Sequence, residues 1–572
     1  MSRHTWIDSW QRATTSPLFT YIIIAPLVLV LWGYVMQPLL ATFLSSVTTP
    51  EGSLTLAHYR EFFHWGANLE ALFTSLLISV LSVLTTCVVG VGLAFLLHRF
   101  EFPGRKLLET LALVPMALPP LIGVLTFMFL FSESGIIPRG LQVLFGLEKV
   151  PFALKGIGGV LMVHTFTMYP YFYLSAAAAF AGMDPSIEEA AYNLGAHRWQ
   201  VWTRVILPML TPALVAGSLL VFMISMASYT APLIFGVDRT MTMQIYISRT
   251  NGNLALASAQ STILSAVSIT FLVLMRWYQG RRTYRSLSKG VTALRMEVRN
   301  PVMRYLAMAG AILAVILLLL PILTLVLISF SKDTTWTVQV LPPQYTLENY
   351  VRLFTDPRAW EPIRNSLEMS AIAAGGDIIL GVAAAYVMTR LAFKGKGLLD
   401  AAVMLPWALP GTVVGINLIT AFNRPSIFSL GQVLVGTFWI LPLAYFVRFA
   451  PLVFRSSAAA LAQLDPSLEE AARNLGASWW YSFRRVTLPL MLRGVVGGAL
   501  MAFVQGVGEF VASILIYTHS SRPISVEINN RMYSFEFGTA AAYGVLQILL
   551  ILVVLFLTKR MEQGSTSNIN LS

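Results

Sequence analysis

The sequence predicts an all-α integral membrane protein whose twelve transmembrane helices form two parallel six-helix repeats. Three observations lead to this prediction. Hydrophobic residues make up 56% of the 572 residues and charged residues only 12%, which is too apolar for an ordinary soluble domain. Twelve apolar stretches are each long enough to cross a hydrocarbon core of about 30 Å. The second half of the chain also repeats the first.

The apolar stretches divide evenly between the two halves. They cover residues 18–44, 70–97, 107–131, 157–181, 206–235, 254–276, 304–330, 366–389, 398–422, 432–460, 487–516 and 539–558. The first is predicted to be a retained helix, because its apolar run is longer than that of a signal peptide. With a cytoplasmic N-terminus, Lys and Arg residues concentrate in the cytoplasmic loops, so we expect both termini on that side.

The net charge of +12 follows from 39 Lys and Arg residues against 27 Asp and Glu residues. Its densest basic segment, residues 276–304, lies in the middle of the chain and is predicted to be cytoplasmic. Such a segment favours a topological anchor or contact with anionic lipid over nucleic-acid binding. Cys87 is the single cysteine, so neither a disulfide framework nor a cysteine metal site is expected.

Sequence identities between the halves define the repeat. "TLAHY" at Thr55 returns as "TLENY" at Thr346, and "VPMALP" at Val114 returns as "LPWALP" at Leu405. We therefore expect one half in residues 1–290 and the other in 291–572. Six spans in each half place both copies in the same orientation, with a pseudo-two-fold axis along the membrane normal. The interface of the halves is the expected place for a translocation pathway.

The longest match is a polar segment between apolar spans. "DPSIEEAAYNLGAHRWQVWTRVILP" from Asp184 aligns with "DPSLEEAARNLGASWWYSFRRVTLP" from Asp465. Each Asp-Pro predicts the start of a short helix, and Gly195 or Gly476 predicts its end. One face of each helix carries a narrow apolar stripe, made by Ile187, Ala190, Ala191 and Leu194 or by Leu468, Ala471, Ala472 and Leu475.

The stripe is flanked by glutamates, namely Glu188, Glu189, Glu469 and Glu470. Anionic lipid headgroups repel such a flank, so the two loops, about 184–208 and 465–489, are expected to bind a protein partner rather than the bilayer surface.

The spacing Glu-Ala-Ala, three residues, Gly, nine residues, an aliphatic residue, one residue, Leu-Pro resembles the signature loop of binding-protein-dependent ABC importer permeases. The pattern occurs at Glu189, Ala190, Ala191, Gly195, Val205, Leu207 and Pro208, and again at Glu470, Ala471, Ala472, Gly476, Val486, Leu488 and Pro489. Valine replaces the family's usual isoleucine in both copies. The resemblance implies a type I importer permease fold in a bacterial inner membrane, with each loop acting as a coupling helix. Among such proteins the chain resembles the ferric-iron permeases most, followed by thiamine and 2-aminoethylphosphonate permeases.

The resemblance also implies the partners. The sequence has no G-x-x-x-x-G-K-[ST] phosphate loop, so we do not expect an enzyme or a cofactor bound by this chain. ATP and Mg are instead expected on two identical ATP-binding subunits, and a periplasmic or extracellular substrate-binding protein is expected to deliver the substrate.

Three charged residues lie inside predicted spans, where charges are costly and often functional. They are Asp377, Arg448 and Glu509, and the matching first-half positions are Thr86, Thr167 and Ser228. Asp377 and Arg448 are expected either to form a structural ion pair or to line the pathway. Glu509 follows two glycines that are able to break a helix, and is predicted to line the pathway rather than to pack helices together.

His164 matches Tyr445 across the repeat and is more typical of a packing residue than of a metal ligand, so no metal site is predicted. Ferric iron is the substrate that the resemblance implies, but the residues themselves leave the substrate open. Glu509 would suit a cation such as ferric iron. Arg448 would instead suit an anion such as a phosphonate. An ion-driven secondary transporter using Asp377 or Glu509 is the alternative class, although parallel repeats disfavour it. A membrane enzyme using His164 is disfavoured because no His and carboxylate cluster accompanies it.

Overall fold

The computed structural model describes residues 17–563 apart from 50, 65, 282–300 and 337–338. In this part of the chain the secondary structure is helical, with two isolated β-bridges and no strand. The predicted boundary between residues 290 and 291, most of the basic segment 276–304 and both chain ends lie outside the described residues.

The helices follow one another in the same order in the two halves. The first half contains α1 (Pro17–Leu31), α2 (Gln37–Ser46), α3 (Ala57–Phe63), α4 (Ala67–Arg99), α5 (Arg105–Leu111), α6 (Pro120–Phe131), α7 (Ile136–Leu144), α8 (Gly156–Ala181), α9 (Pro185–Asn193), α10 (Arg198–Val201), α11 (Leu207–Met226), α12 (Thr230–Ile234), α13 (Met241–Thr250) and α14 (Leu254–Arg281). The second contains α15 (Pro301–Ser329), α16 (Glu348–Thr355), α17 (Pro357–Arg390), α18 (Lys396–Ala408), α19 (Gly411–Phe422), α20 (Ile440–Ala462), α21 (Ser467–Asn474), α22 (Trp479–Ser482), α23 (Leu488–Val507), α24 (Ser513–Ile516), α25 (Ile524–Tyr533) and α26 (Phe537–Gln563).

Nine helices among the described residues are long and apolar enough to cross a membrane, and the bent pair α18 and α19 would make a tenth span. The predicted fourth and tenth spans are α8 and α20, which are 26 and 23 residues long but not apolar enough to be counted. All twelve predicted stretches are at least partly helical, but the count of twelve spans is not confirmed.

Four predicted spans are broken rather than continuous. The third divides into α5, a 3₁₀ turn and α6, and the ninth bends by 109° between α18 and α19. Both breaks lie at prolines, Pro119 and Pro410, which lack an N–H and exclude helical geometry at the preceding residue. The fifth span ends at Met226 and the eleventh at Val507, each several residues earlier than predicted.

Three long helices form the centre of each half: α4, α8 and α11 in the first, and α17, α20 and α23 in the second. Matched glycines permit the close approach of two of them. A Cβ on Gly90 would lie 2.6 Å from the Tyr169 carbonyl oxygen, and one on Gly381 would lie 2.9 Å from the Phe454 backbone nitrogen. Both distances are too short for any side chain, so these crossings require glycine.

The first helices of each half lie against the opposite half. The Tyr34 hydroxyl, in the π-helical turn between α1 and α2, donates a hydrogen bond to the Phe428 carbonyl at 2.9 Å. In the matching arrangement α15 packs on α6, with Val315 in the same buried cluster as Ile122. This exchange of helices holds the two halves together through apolar packing.

Candidate functional site

The repeated polar segment folds in both halves as the predicted short helix. The Asp184 carboxylate accepts a hydrogen bond from the Ser186 backbone N–H at 2.9 Å, and Asp465 caps Ser467 in the same way at 2.9 Å. These backbone hydrogen bonds lower the pKa of both carboxyls from the ordinary value of 3.8, so both caps are charged at neutral pH. The second helix begins one residue later in the motif than the first.

Glycine ends both helices, as predicted. Gly195 has φ of +82° and Gly476 has φ of +87°, a left-handed conformation that side chains other than glycine rarely adopt. The Ala196 N–H bonds the Ala191 carbonyl at 3.0 Å, and the Gly195 N–H bonds the Tyr192 carbonyl at 2.9 Å. These two bonds form a Schellman turn, and the second copy repeats both.

Apart from Ala191, which packs against the core of the first half, the predicted apolar stripe is largely exposed among the described residues. Leu194 is 88% exposed and Leu475 is 90% exposed. The other members are exposed or partly exposed: Ile187, Ala190, Ala191, Leu468, Ala471 and Ala472. Glu189 and Glu470 are also exposed beside the stripe, as is Trp199 just after the turn. Each half therefore presents an apolar surface with an acidic flank.

The glutamate before each of these exposed ones is buried and paired, which the sequence did not reveal. Glu188 forms two hydrogen bonds with the Arg99 guanidinium, one of them 2.5 Å long between the Glu188 Oε1 and the Arg99 NH1. Glu469 accepts from the Arg390 Nε at 2.9 Å. Arg99 and Arg390 are the last residues of α4 and α17, so both pairs join the same two elements.

The chain continues from each loop into a long helix, as predicted. A π-helical turn, Trp202–Ile206 or Phe483–Thr487, joins α10 to α11 and α22 to α23. Each turn ends two residues before a proline, Pro208 or Pro489. A proline ring clashes with the carbonyl four residues earlier, and a widened turn relieves that contact.

In the first half, His164 is the centre of a buried hydrogen-bonded cluster. Its Nδ1 lies 2.8 Å from the Ser82 hydroxyl and 3.2 Å from the Ser225 hydroxyl, and its Nε2 lies 2.8 Å from the Ser228 hydroxyl. Hydroxyls donate and accept, so both imidazole nitrogens are satisfied in either neutral tautomer. Ser228 lies in the non-helical break that follows α11.

In the second half, Glu509 occupies the break that follows α23, as its two preceding glycines predicted. The guanidinium of Arg448, on α20, forms an ion pair with its carboxylate. The Glu509 Oε1 also accepts a hydrogen bond from the Ala512 N–H at 2.7 Å, and the Ser525 hydroxyl donates to the Glu509 carbonyl at 2.6 Å. The Glu509 side chain is 6% exposed and that of Arg448 is 20% exposed.

Tyr445 takes the place of His164 in the second half. Its hydroxyl lies 2.8 Å from the Ser513 hydroxyl, which in turn donates to the Glu509 carbonyl at 2.9 Å. In the first half, His164 bonds Ser228 directly. Ser228 and Glu509 therefore occupy corresponding positions at the helix breaks, and His164 and Tyr445 occupy corresponding positions beside them.

Asp377 does not pair with Arg448, so the ion pair considered from the sequence is wrong. Arg448 pairs with Glu509 instead. Asp377 is fully buried within α17, and neither carboxylate oxygen has a hydrogen-bond partner among the described residues. A residue's expected depth in the membrane does not determine which neighbouring helix its side chain faces. Depth alone therefore did not identify the partner of Arg448.

Helix breaks of the two halves lie against one another. A Cβ on Gly508 would lie 3.4 Å from the Pro119 side chain, so the eleventh-span break meets the third-span break of the other half. The Tyr229 ring, at the fifth-span break, has its centroid 6.1 Å from that of Phe510 at the eleventh-span break. Non-helical backbone at membrane depth is tolerated where protein surrounds it or water lines it.

Among the described residues, no group of three or more His, Cys, Asp or Glu side chains is placed to hold a metal ion. Cys87 lies partly buried on α4, and His164 has only serine hydroxyls around its nitrogens.

Comparisons with known proteins agree with these features. The family model "Binding-protein-dependent transport system inner membrane component" matches residues 87–284 and again residues 377–566. The chain is 30% identical over 504 residues to the "Probable ABC transporter permease protein y4fN" of Sinorhizobium fredii, covering 87% of this chain and 88% of that one.

Two further relatives carry substrate names. The "Ferric transport system permease protein FbpB" of Actinobacillus pleuropneumoniae is 29% identical, covering 81% of this chain and 67% of its own length. A 2-aminoethylphosphonate transport system permease, PhnV of Salmonella paratyphi A, is 28% identical, covering 45% of this chain and 94% of its own length. The family domain occurs twice in a chain whose described residues form two matched sets of helices, and the chain belongs to the binding-protein-dependent transport system inner membrane components, the permeases of ABC importers.

Proposed function

We propose that this chain forms the whole translocation pathway of a bacterial inner-membrane ABC importer for ferric iron. Two copies of one ATP-binding subunit, which carry ATP and Mg, dock on α9 and α21 from the cytoplasm, where both chain termini also lie. A periplasmic substrate-binding protein delivers the substrate to the opposite end. ATP binding brings the two docked subunits together, and the accompanying movement of α9 and α21 opens the pathway toward the periplasm.

The pair of exposed helices α9 and α21 supports this proposal most directly. Both carry a largely exposed apolar stripe, the same acidic flank and the same glycine turn. An amphipathic helix of this kind fits a hydrophobic groove on another protein. Because the two surfaces share residue types at matched positions, they suit two copies of the same partner.

The names of relatives support ferric iron as the substrate, and the site chemistry is compatible with it. Glu509 provides a carboxylate, a hard oxygen ligand that suits a trivalent cation. Arg448 pairs with that carboxylate in this structure, which would weaken its attraction for a cation and so favour release. Thiamine and 2-aminoethylphosphonate are the other substrates to test, and the guanidinium of Arg448 would serve a phosphonate.

Reconstitution tests this function. The purified chain is combined with candidate ATP-binding subunits in lipid vesicles, and ATP hydrolysis is measured with and without binding protein loaded with ferric iron, thiamine or 2-aminoethylphosphonate. The decisive variant is Glu189→Lys with Glu470→Lys, which reverses the acidic flanks. Its matched control is Glu189→Asp with Glu470→Asp, which keeps both negative charges at the same exposed positions.

We expect copurification of the ATP-binding subunit, stimulated hydrolysis and uptake of ferric iron in the parent and the control, and loss of all three in the decisive variant. Full coupling in the decisive variant would contradict docking through α9 and α21. Uptake that follows an ion gradient without ATP would instead establish the secondary transporter, and stimulation by another loaded binding protein would reject iron while retaining the importer.

A further inference from the structure

Two matched ion pairs join α9 and α21 to helices that are distant along the chain. Arg99 and Glu188 are separated by 89 residues, and Arg390 and Glu469 by 79 residues. Each pair links the last residue of a long helix to the first turn of a short one. Arg390 also donates to the Leu464 carbonyl at 3.1 Å, just before the second loop.

Both ion pairs are shielded from water and are favoured by their positions at helix ends. The side chains of Arg99 and Glu188 are 16% and 9% exposed, and those of Arg390 and Glu469 are 13% and 10% exposed, so water screens neither attraction strongly. The arginines stand at helix C-termini and the glutamates near helix N-termini, where each charge also interacts favourably with the helix dipole. A surface ion pair of ordinary kind has neither advantage.

The pairs add a third attachment to each loop helix. The chain already connects α9 to α8 before it and to α10 and α11 after it, and the Arg99 pair adds α4. Ser82 lies on the same helix α4, about 25 Å from Arg99 at a rise of 1.5 Å per residue. Its hydroxyl contacts His164. In the second half the Arg390 pair adds α17, whose Ser370 lies against Gly506 beside the eleventh-span break.

We propose that the Arg99–Glu188 and Arg390–Glu469 pairs transmit movement of the loop helices to α4 and α17, and through them to the helix breaks. The inference rests on the proposed function, because it assumes that an ATP-binding subunit moves α9 and α21. It assigns the two adjacent glutamates of each motif different roles. Glu189 and Glu470 face the partner, whereas Glu188 and Glu469 are positioning residues that hold the loop helix to the membrane helices.

The test measures the number of substrate molecules transported per ATP hydrolysed in the complete reconstituted complex. Two variants remove the attraction, Glu188→Gln with Glu469→Gln and Arg99→Gln with Arg390→Gln. A third exchanges the charges within both pairs, combining Arg99→Glu and Glu188→Arg with Arg390→Glu and Glu469→Arg. The exposed pair of Arg364 and Glu368, on α17, provides the matched control through Arg364→Gln with Glu368→Gln.

We expect the transport ratio to fall by about tenfold in both neutral variants and to return to within about threefold of the parent in the exchanged variant, while the control keeps the parent ratio. A ratio unchanged in the neutral variants would overturn the proposal, and so would an exchanged variant that stays as poorly coupled as the neutral ones. The failure of the parent itself to couple to any ATP-binding subunit would reject the proposed function instead, which keeps the two conclusions separate.

Discussion

The Arg448–Glu509 ion pair permits a prediction whose size follows from its burial. Arg448→Met leaves the Glu509 carboxylate, 6% exposed, without its counter-ion inside the membrane region. Glu509→Gln leaves the guanidinium unpaired but keeps an acceptor oxygen for the Ala512 N–H. Removing one partner of a buried pair costs about 3–5 kcal/mol, and the 20% exposure of Arg448 places both single variants near the lower end.

The double variant Arg448→Met with Glu509→Gln leaves no unpaired charge, so it is expected to cost about 1–2 kcal/mol rather than the sum of the two single losses. The free energy of unfolding is measured in bicelles for the parent, both single variants and the double variant. The Arg364–Glu368 pair on α17, whose side chains are 56% and 52% exposed, gives a control cycle with a coupling energy below about 0.5 kcal/mol.

A coupling energy for Arg448 and Glu509 as small as that of the exposed control would refute the reasoning, because it would mean that the two charges do not depend on each other. In that case the double variant would be about as unstable as the sum of the two single ones. Transport measured on the same four proteins then separates the stability of the pair from its use in the pathway.

Three further predictions concern single positions. Gly90→Ala forces a Cβ to 2.6 Å from the Tyr169 carbonyl oxygen and is expected to lower the free energy of unfolding by about 1–3 kcal/mol. The control Gly92→Ala, in open space on the same helix, is expected to be neutral or stabilising. Equal effects of the two substitutions would contradict the close crossing at Gly90. Asp377→Leu removes a buried carboxyl that has no hydrogen-bond partner among the described residues, and it is expected to raise the free energy of unfolding by about 1–3 kcal/mol; a fall would contradict this expectation. Asp184→Ala removes the helix cap and is expected to reduce stimulated ATP hydrolysis, while Asp184→Asn retains it. The cap lowers the pKa of Asp184 below 3.8, so its stabilisation of the helix is complete above that value and is lost only as pH falls through the lowered pKa. A change in stimulated hydrolysis near neutral pH that depends on Asp184 would contradict its assignment as the cap.

The features that depend on neighbours along the chain were predictable from the sequence. Asp184 and Gly195 determine where α9 begins and ends through hydrogen bonds and backbone geometry within a few residues. The repeat in the second half was visible because the same local signals recur at Asp465 and Gly476. The break at Glu509 was predictable from the adjacent glycines, but the matching break after Met226 consists of Ala227, Ser228 and Tyr229, so it offered no such local signal.

The features that depend on packing were not predictable in this way. The Arg99–Glu188 pair joins residues 89 positions apart, and no periodicity in either segment indicates the other. The partner of Arg448 depends on which face of α20 meets the loop at Glu509. A helix that is apolar on all sides gives no sequence signal for its rotation about its own axis, so this face was not predictable. Span counts fail similarly, because α18 and α19 together have the length of one span but bend by 109° at Pro410.

The two halves carry matching residues at the loop helices α9 and α21 but different residues at the helix breaks, and this difference has a consequence for the proposed transport cycle. The caps, the glycine turns and the Arg99–Glu188 and Arg390–Glu469 pairs match in type, although Glu469 also pairs with Arg473. Two identical ATP-binding subunits would therefore find the same kind of attachment in both halves. At the helix breaks, by contrast, the first half offers Ser228 and His164, and the second offers Glu509 and Arg448. A fused chain is free to vary these positions in one half while keeping both docking surfaces constant. Substrate preference in this importer is therefore expected to reside in the second half, and the double variant Arg448→Met with Glu509→Gln, which leaves no unpaired charge, is expected to change that preference without weakening the docking of either ATP-binding subunit.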